Sequence, residues 1–253
     1  MEPGAAVWLG RESQPGEEVE THEVGTHMEM QRPVRPGRRP VLVTDFDGTL
    51  TDRDFYQLVR DRLLPLGTPD FWSAYRRGDI SHFEALRAYF EAAIPGEEEL
   101  KRLVEDMGLE PELGYGVRLL EGAGWRVVVV SNGCRWYIHR LLAGAGVELE
   151  VHANPGRVVE GRLVMEWPED TAFPSAQTGI SKAAVVRSFL LGGRTVAFAG
   201  DGPPDLEPAL LVPPQRRFAR SHLAEALNGV GEEYRPFSRW LDIARSLAAE
   251  GAS

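Results

Sequence analysis

The chain of 253 residues carries a single cysteine, Cys134, which excludes an internal disulfide and fits a reducing compartment. Lysine is almost as scarce. Of 28 basic residues only Lys101 and Lys182 are lysines, so arginine serves nearly everywhere a cation is used. No run approaches the ~18 consecutive apolar residues of a membrane-crossing helix, which excludes a helical integral membrane protein. Positive charge is not in excess either. A net charge of −10 argues against nucleic acid or an anionic membrane surface as the main partner, and leaves room for a local positive pocket. The N-terminus lacks the basic start and apolar core of a secretory signal, so the cytoplasm is the expected location. What is there, 43% hydrophobic and 26% charged residues, is ordinary for a globular protein. The length suits one large domain or a core with a smaller insert.

Residues 1–39 read as a disordered lead: "GEEVETHE" is acidic, "RPVRPGRRP" is basic and proline-studded, and neither has a helical or strand period. Met28 and Met30 offer alternative starts. From residue 40 a core pattern begins with the strand "VLVTDF". Residues 54–107 form an expected all-helical insert, with Phe55, Leu58, Val59 and Leu63 on one helical face and Phe83, Leu86, Phe90 and Ile94 on another. "TPDF" suggests a threonine cap with proline at the first helical position, and "PGEEEL" opens a further helix with acids in its first turn. The core resumes over 108–253. A helix over about 112–123 leads to "WRVVVVSNG", whose four valines suggest a strand buried on both faces, as in a parallel sheet covered by helices. A helix, the strand "ELEVHAN", a hairpin about Glu160-Gly161, a helix over about 180–190, the strand "TVAFAG", the strand "RRFAR" and two closing helices follow. The alternation predicts an α/β fold, a doubly wound parallel sheet with ligands at the carboxyl ends of its strands.

Polar residues close three of these strands. Asp45 and Asp47 follow the first, Ser131 and Asn132 end the valine run, and Gly200-Asp201-Gly202 ends "TVAFA". Parallel strands place all three ends in one crevice. Carboxylates gathered there repel one another unless a hard cation neutralises them, and Mg²⁺ is the natural one. Taken singly each piece has an ordinary reading: "GDGPPD" as a surface turn, Ser131 as a helix cap, Lys182 as a solvated helix residue. "DFDGTLTD" is not a calcium loop of the EF-hand kind, because its glycine stands fourth rather than sixth and a strand precedes it.

In this order the motifs resemble those of the haloacid dehalogenase-like phosphohydrolases. The family's D-x-D-G-T matches Asp45, Asp47, Gly48 and Thr49; its strand-ending Ser or Thr matches Ser131; its lysine matches Lys182; and its G-D-G-x-x-D matches Gly200, Asp201, Gly202 and Asp205. The resemblance spans roughly residues 40–250, and the helical insert is similar to the cap of the phosphoserine phosphatase-like branch. It implies a Mg²⁺-dependent phosphatase acting on a small phosphate monoester. Asp45 would be the nucleophile and Asp47 the acid and base. Asp45 and Asp201 would hold the metal by side chains and Asp47 by its main-chain carbonyl, with Asp205 completing the acidic group by orienting a metal-bound water or Lys182. Ser131, Lys182 and backbone N–H groups near Asn132 and Gly133 would hold the phosphoryl oxygens. A lysine in so arginine-rich a chain itself suggests that a compact ammonium is wanted at 182.

For the substrate two branches stand out. Phosphoserine phosphatases hold the amino acid with a cap glutamate and arginine, for which Asp54 and Arg87 stand in the corresponding places. The stretch "SNGCRWYIHRLLAGAGVELEVHANPG" and the late "RFARSHLAEAL" look more like the phosphatases of methionine salvage, which act on 2-hydroxy-3-keto-5-methylthiopentenyl 1-phosphate. Trp72, Trp136 and Tyr137 are candidates to wall an apolar substrate tail, or ordinary core aromatics. A catalytically silent binding module and phosphoryl transfer to an acceptor other than water are the alternatives, and the oligomeric state is open.

Overall fold

The computed structural model describes residues 38–250. The expected lead over residues 1–39 therefore falls, but for its last two residues, outside the described residues. Strand β1 (Val41–Thr44) is followed by four helices, α1 (Phe55–Arg62), α2 (Phe71–Arg77), α3 (His82–Ala92) and α4 (Glu97–Glu105). Next come α5 (Leu113–Gly122), β2 (Arg126–Cys134), α6 (Arg135–Gly144) and β3 (Glu150–Asn154). Two antiparallel hairpins follow, β4 (Gly156–Val159) with β5 (Arg162–Met165) and β6 (Pro174–Ser175) with β7 (Gly179–Ile180). Then come α7 (Lys182–Leu191), β8 (Val196–Gly200), α8 (Leu206–Leu210), β9 (Arg217–Ala219), α9 (Ser221–Gly229), β10 (Arg235–Pro236) and α10 (Trp240–Glu250).

Six strands form one parallel sheet in the order β10-β9-β8-β1-β2-β3. The chain winds outward from β1 through β2 to β3, then restarts on the other side of β1 with β8. The direction of winding thus reverses between β1 and β8, and a crevice opens there at the carboxyl ends of the strands. Alternate side chains feed two cores. Leu42, Val127, Val129, Ala197 and Ala199 pack with α5, α6, α10 and the helices after β1, while Val41, Val43, Val128, Val130, Val196 and Phe198 pack with α7, α8 and α9. The valine run is apolar throughout because its residues divide between both layers.

Local chemistry sets the helix ends. Ser81 and Glu84 form a reciprocal capping box at the start of α3, and Phe83, Leu86 and Phe90 are buried at the helical period. Ile94, expected on that face, lies beyond the end of the helix and is 65% exposed. At "TPDF" the cap is Asp70 and not Thr68, because the Asp70 carboxylate accepts from the Ser73 N–H at 3.1 Å and the helix starts one residue later, at Phe71. The β4–β5 hairpin turns at Glu160 and Gly161, both left-handed (φ 49° and 78°), the conformation that a two-residue hairpin loop demands. No helix of the described residues is long and apolar enough to cross a membrane.

Candidate active site

The ends of β1, β2 and β8 open into a cavity of about 770 Å³ whose other walls come from α1, α2 and α3. Asp45 is the first residue past β1, and its backbone N–H donates to the Ala199 carbonyl at 2.8 Å, which ties it to the end of β8. Its Oδ1 lies 2.7 Å from Lys182 Nζ, and the same ammonium lies 2.7 Å from Asp205 Oδ1. Lys182 opens α7 with a side chain only 5% exposed. Burial disfavours its charge, yet the charges of Asp205 and Asp45 outweigh that and hold its pKa above the ordinary lysine value. Carboxylate oxygens of Asp45, Asp201 and Asp205 lie within 4.8 Å of one another.

Three carboxylates thus face one ammonium. Burial, and then the charge of Asp205, raises the Asp45 pKa well above the ordinary value, with Lys182 acting the other way. Asp201 is pushed up to about 6 by burial and by Asp205, despite a hydrogen bond from Thr49 Oγ1 at 2.9 Å. An all-oxygen donor set with negative charge in excess suits a hard divalent cation such as Mg²⁺. Asp205 is fully buried and already serves the protein with both oxygens. Oδ1 meets Lys182, and Oδ2 accepts from the backbone N–H groups of Asp201 at 3.1 Å and Gly202 at 3.0 Å.

Asp47 sits apart from that group. Its Oδ1 accepts from the Phe55 N–H at the start of α1 (3.1 Å), and its Oδ2 from the Tyr137 hydroxyl (2.7 Å) and Ser131 Oγ (3.3 Å). Burial raises its pKa, partly offset by those donors. Ser131 and Asn132 stand where the pairing of β2 with β3 is irregular, between Val130 and Cys134, and this break presents them to the crevice. The Gly133 N–H donates to Ser131 Oγ at 2.9 Å, and the Asn132 side chain donates to the Ile180 carbonyl at 2.8 Å. Gly48 is left-handed (φ 72°), and a Cβ there would fall 2.4 Å from Asp201 Oδ2. Gly48→Ala is therefore expected to remove about 1–2 kcal/mol from backbone strain alone and to displace Asp201. Urea melts and a Mg²⁺ titration of the turnover rate check this, and parent-like values in both would contradict it.

Asp54 lines the cavity and is pushed up to about 7 by burial and by the charges of Asp47 and Asp201. Arg87, expected beside it, is not brought there. It lies outside this cavity, in a neighbouring depression, paired with Glu91 at 2.7 Å and half exposed. Trp72 does reach the cavity, with Tyr56, Tyr75 and His82, and burial pushes the His82 pKa down to about 4, which leaves the imidazole neutral. Trp136 does not line it; the Arg140 guanidinium covers its ring at 4.8 Å. Tyr137 is a core aromatic stacked on Phe55 at 4.5 Å, and only its hydroxyl serves the site.

Two residues escaped the sequence reading as site residues. Arg220, just after β9, donates to the carbonyls of Gly48 (2.8 Å) and Thr51 (3.0 Å) and fixes the loop that carries Asp47. Asn154 is fully buried at the end of β3 and donates to the carbonyls of Asn132 (2.8 Å) and Thr178 (3.0 Å). Tyr137, considered as a wall for an apolar tail, instead gives its hydroxyl to Asp47. Arg220 and Asn154 each stand at a strand's carboxyl end, the signal that found the aspartates.

A family model described as haloacid dehalogenase-like hydrolase matches residues 42–209, and the chain belongs to that family. It is similar to the bifunctional enzyme MtnB/MtnX of Bacillus licheniformis, at 23% identity over 221 residues. That match covers 83% of this chain and 49% of the relative, so the chain spans about half of that protein's length. The 2-hydroxy-3-keto-5-methylthiopentenyl-1-phosphate phosphatase of Bacillus pumilus is 21% identical over 214 residues, covering 81% of this chain and 90% of that one. Among solved structures, a phospho-aspartyl intermediate analogue of phosphoserine phosphatase superposes with a TM-score of 0.56 at 15% identity, covering 80% and 95% of the two chains. A probable phosphoserine phosphatase from Vibrio cholerae gives 0.59 at 19% identity, covering 85% and 68%. These two likenesses establish the fold.

Proposed function

We propose that this chain, a phosphatase of the haloacid dehalogenase-like family, hydrolyses a small-molecule phosphate monoester through an aspartyl-phosphate on Asp45. The observation that carries the reading is the pairing of a buried Lys182 with Asp45 and Asp205, beside Asp201 and opposite a separately anchored Asp47. Asp45 attacks phosphorus as the bond to the leaving oxygen breaks, and Asp47 gives that oxygen its proton. Asp47 then takes a proton from the water that attacks the phosphorylated Asp45, which frees phosphate, restores the Asp45 carboxylate and returns Asp47 to its protonated form. Lys182 screens the approach of a carboxylate to an anionic phosphate, while Ser131 and the Asn132 N–H hold phosphoryl oxygens. Mg²⁺, held by the side chains of Asp45 and Asp201 and the main-chain carbonyl of Asp47, would supply further neutralising charge.

Helices α1 to α4, residues 54–107, act as a cap that selects the substrate. The cavity walls they supply include neutral aromatic rings, with Asp54 as an acid among them. This suits a substrate with an apolar tail, and the relatives' printed substrate, 2-hydroxy-3-keto-5-methylthiopentenyl 1-phosphate, has one. Phosphoserine is the second reading, favoured by the structural neighbours; the exposed, ion-paired Arg87 counts against it, since the substrate carboxylate then lacks that cation. The test is phosphate release from the methylthio ester, phosphoserine, phosphocholine and para-nitrophenyl phosphate, with Mg²⁺ and with a chelator. The methylthio ester is expected to lead phosphoserine in kcat/KM by at least about tenfold, the scale of a few apolar contacts. Chelation should stop release and added Mg²⁺ should restore it. Metal-dependent release from none of the esters would favour a binding module instead.

A further inference from the structure

Tyr137 lies three positions beyond the end of β2, in α6, and its ring belongs to the core, where it stacks on Phe55. Its hydroxyl leaves that core for a single acceptor, Asp47 Oδ2 at 2.7 Å. The approach depends on Gly133, where a Cβ would stand 1.7 Å from the Tyr137 hydroxyl and 2.9 Å from Asp47 Oδ2. The missing side chain at 133 is the channel through which the phenol reaches the carboxylate.

Asp47 has three donors, and they are unequal. The Phe55 N–H fixes Oδ1 at 3.1 Å and, alone, leaves the carboxyl free to swing about it. Ser131 Oγ stands 3.3 Å from Oδ2, and its single hydroxyl proton is the one a phosphoryl oxygen takes when an ester binds. Tyr137 has no such second duty, so with substrate in place it alone still fixes Oδ2. Two fixed oxygens set the plane of the carboxyl. One lone pair of Oδ2 goes to the phenol and the other is left to carry the proton that moves.

We infer that Tyr137 is a positioning residue for Asp47, aiming its acidic proton at the leaving oxygen. The inference rests on the phosphatase reading and on Asp47 as its acid. In the step concerned the Asp47 O–H bond breaks as the proton joins the bridging oxygen, the phosphorus–oxygen bond to the leaving group breaks, and a bond from Asp45 to phosphorus forms. A poor leaving group such as an alkoxide needs that proton, whereas para-nitrophenolate departs without it.

Tyr137→Phe keeps the ring and deletes the hydroxyl. The measurement is kcat/KM with Mg²⁺ for an alkyl phosphate and for para-nitrophenyl phosphate, in parent and variant. This quantity reports only steps up to the first phosphoryl transfer, and the ratio of the two values does not change with the fraction of protein that is folded. The alkyl-to-aryl ratio is expected to fall by about tenfold or more, the scale of a misaimed catalytic group. An unchanged ratio, whether both rates hold or both fall together, overturns the inference while the phosphatase reading stands. A parent protein that hydrolyses neither ester removes that reading and the inference with it.

Discussion

Lys182→Ala is expected to destabilise the metal-free protein by about 3–5 kcal/mol, the usual consequence of leaving a buried partner charge unpaired. The ammonium is 2.7 Å from both Asp45 and Asp205, and neither carboxylate has water to replace it, being 7% and 0% exposed. Without it two buried acids face each other and Asp201, whose own charge Arg220 partly offsets. Lys182→Arg is not a remedy. Both carboxylates converge on one nitrogen, a geometry that a compact ammonium satisfies and a planar fork does not. This explains a lysine in a chain that otherwise uses arginine.

The deficit should also depend on pH with a definite sign. Asp45 already has a folded-state pKa above its unfolded value, so binding a proton there favours the folded form. Removing Lys182 raises that pKa further. The variant therefore regains stability as pH falls through the raised value and loses it as pH rises. Urea melts of parent and variant at several pH values, without metal, measure both effects. A variant within about 1 kcal/mol of the parent at neutral pH would mean that the ammonium is not what holds these acids together.

Asp45, Asp47 and Asp201 were legible because they close runs of buried strand residues, and a parallel sheet must bring such ends together whatever the rest of the chain does, whereas Asp205 came only with the G-D-G-x-x-D resemblance. The two-sided burial of the valine run was legible for the same reason. Arg87 shows where this reasoning stops. It stands one position past Leu86, which lines the cavity, and a helix turns about 100° per residue, so proximity in sequence carried it out of the cavity. The i,i+4 pairing with Glu91 was visible and was the better guide.

Tyr137, Asn154 and Arg220 could not be assigned in the same way, because their partners lie 90, 22 and 172 positions away. Their work is to hold loops that the motif residues occupy, and only the folded arrangement tells such residues from ordinary polar ones. Thr68 failed as a cap for a local reason. Asp70, two residues on, also offers an acceptor, and the helix begins after it.

Asp45→Asn is expected to lower turnover by on the order of 10⁴-fold or more, the scale seen when a nucleophile is removed. The amide has the shape of the carboxylate, so Lys182 keeps Asp205 and still finds an oxygen at position 45. It has no anionic oxygen to attack phosphorus, and neither Asp205 nor Asp47 is free to take over. Asp205 is closed in by Lys182 and two backbone N–H groups, and Asp47 is held by Phe55, Tyr137 and Ser131. Stability should move the other way. Asparagine carries no charge against Asp205, the neighbour that, after burial, does most to raise the Asp45 pKa, so the metal-free variant should melt no lower than the metal-free parent. Turnover and thermal melts on the same preparations separate the outcomes. Lost activity with retained melting temperature assigns the nucleophile. Activity within about tenfold of the parent would remove Asp45 from that role. Loss of both would show that the carboxylate serves the fold through Lys182 before it serves the reaction.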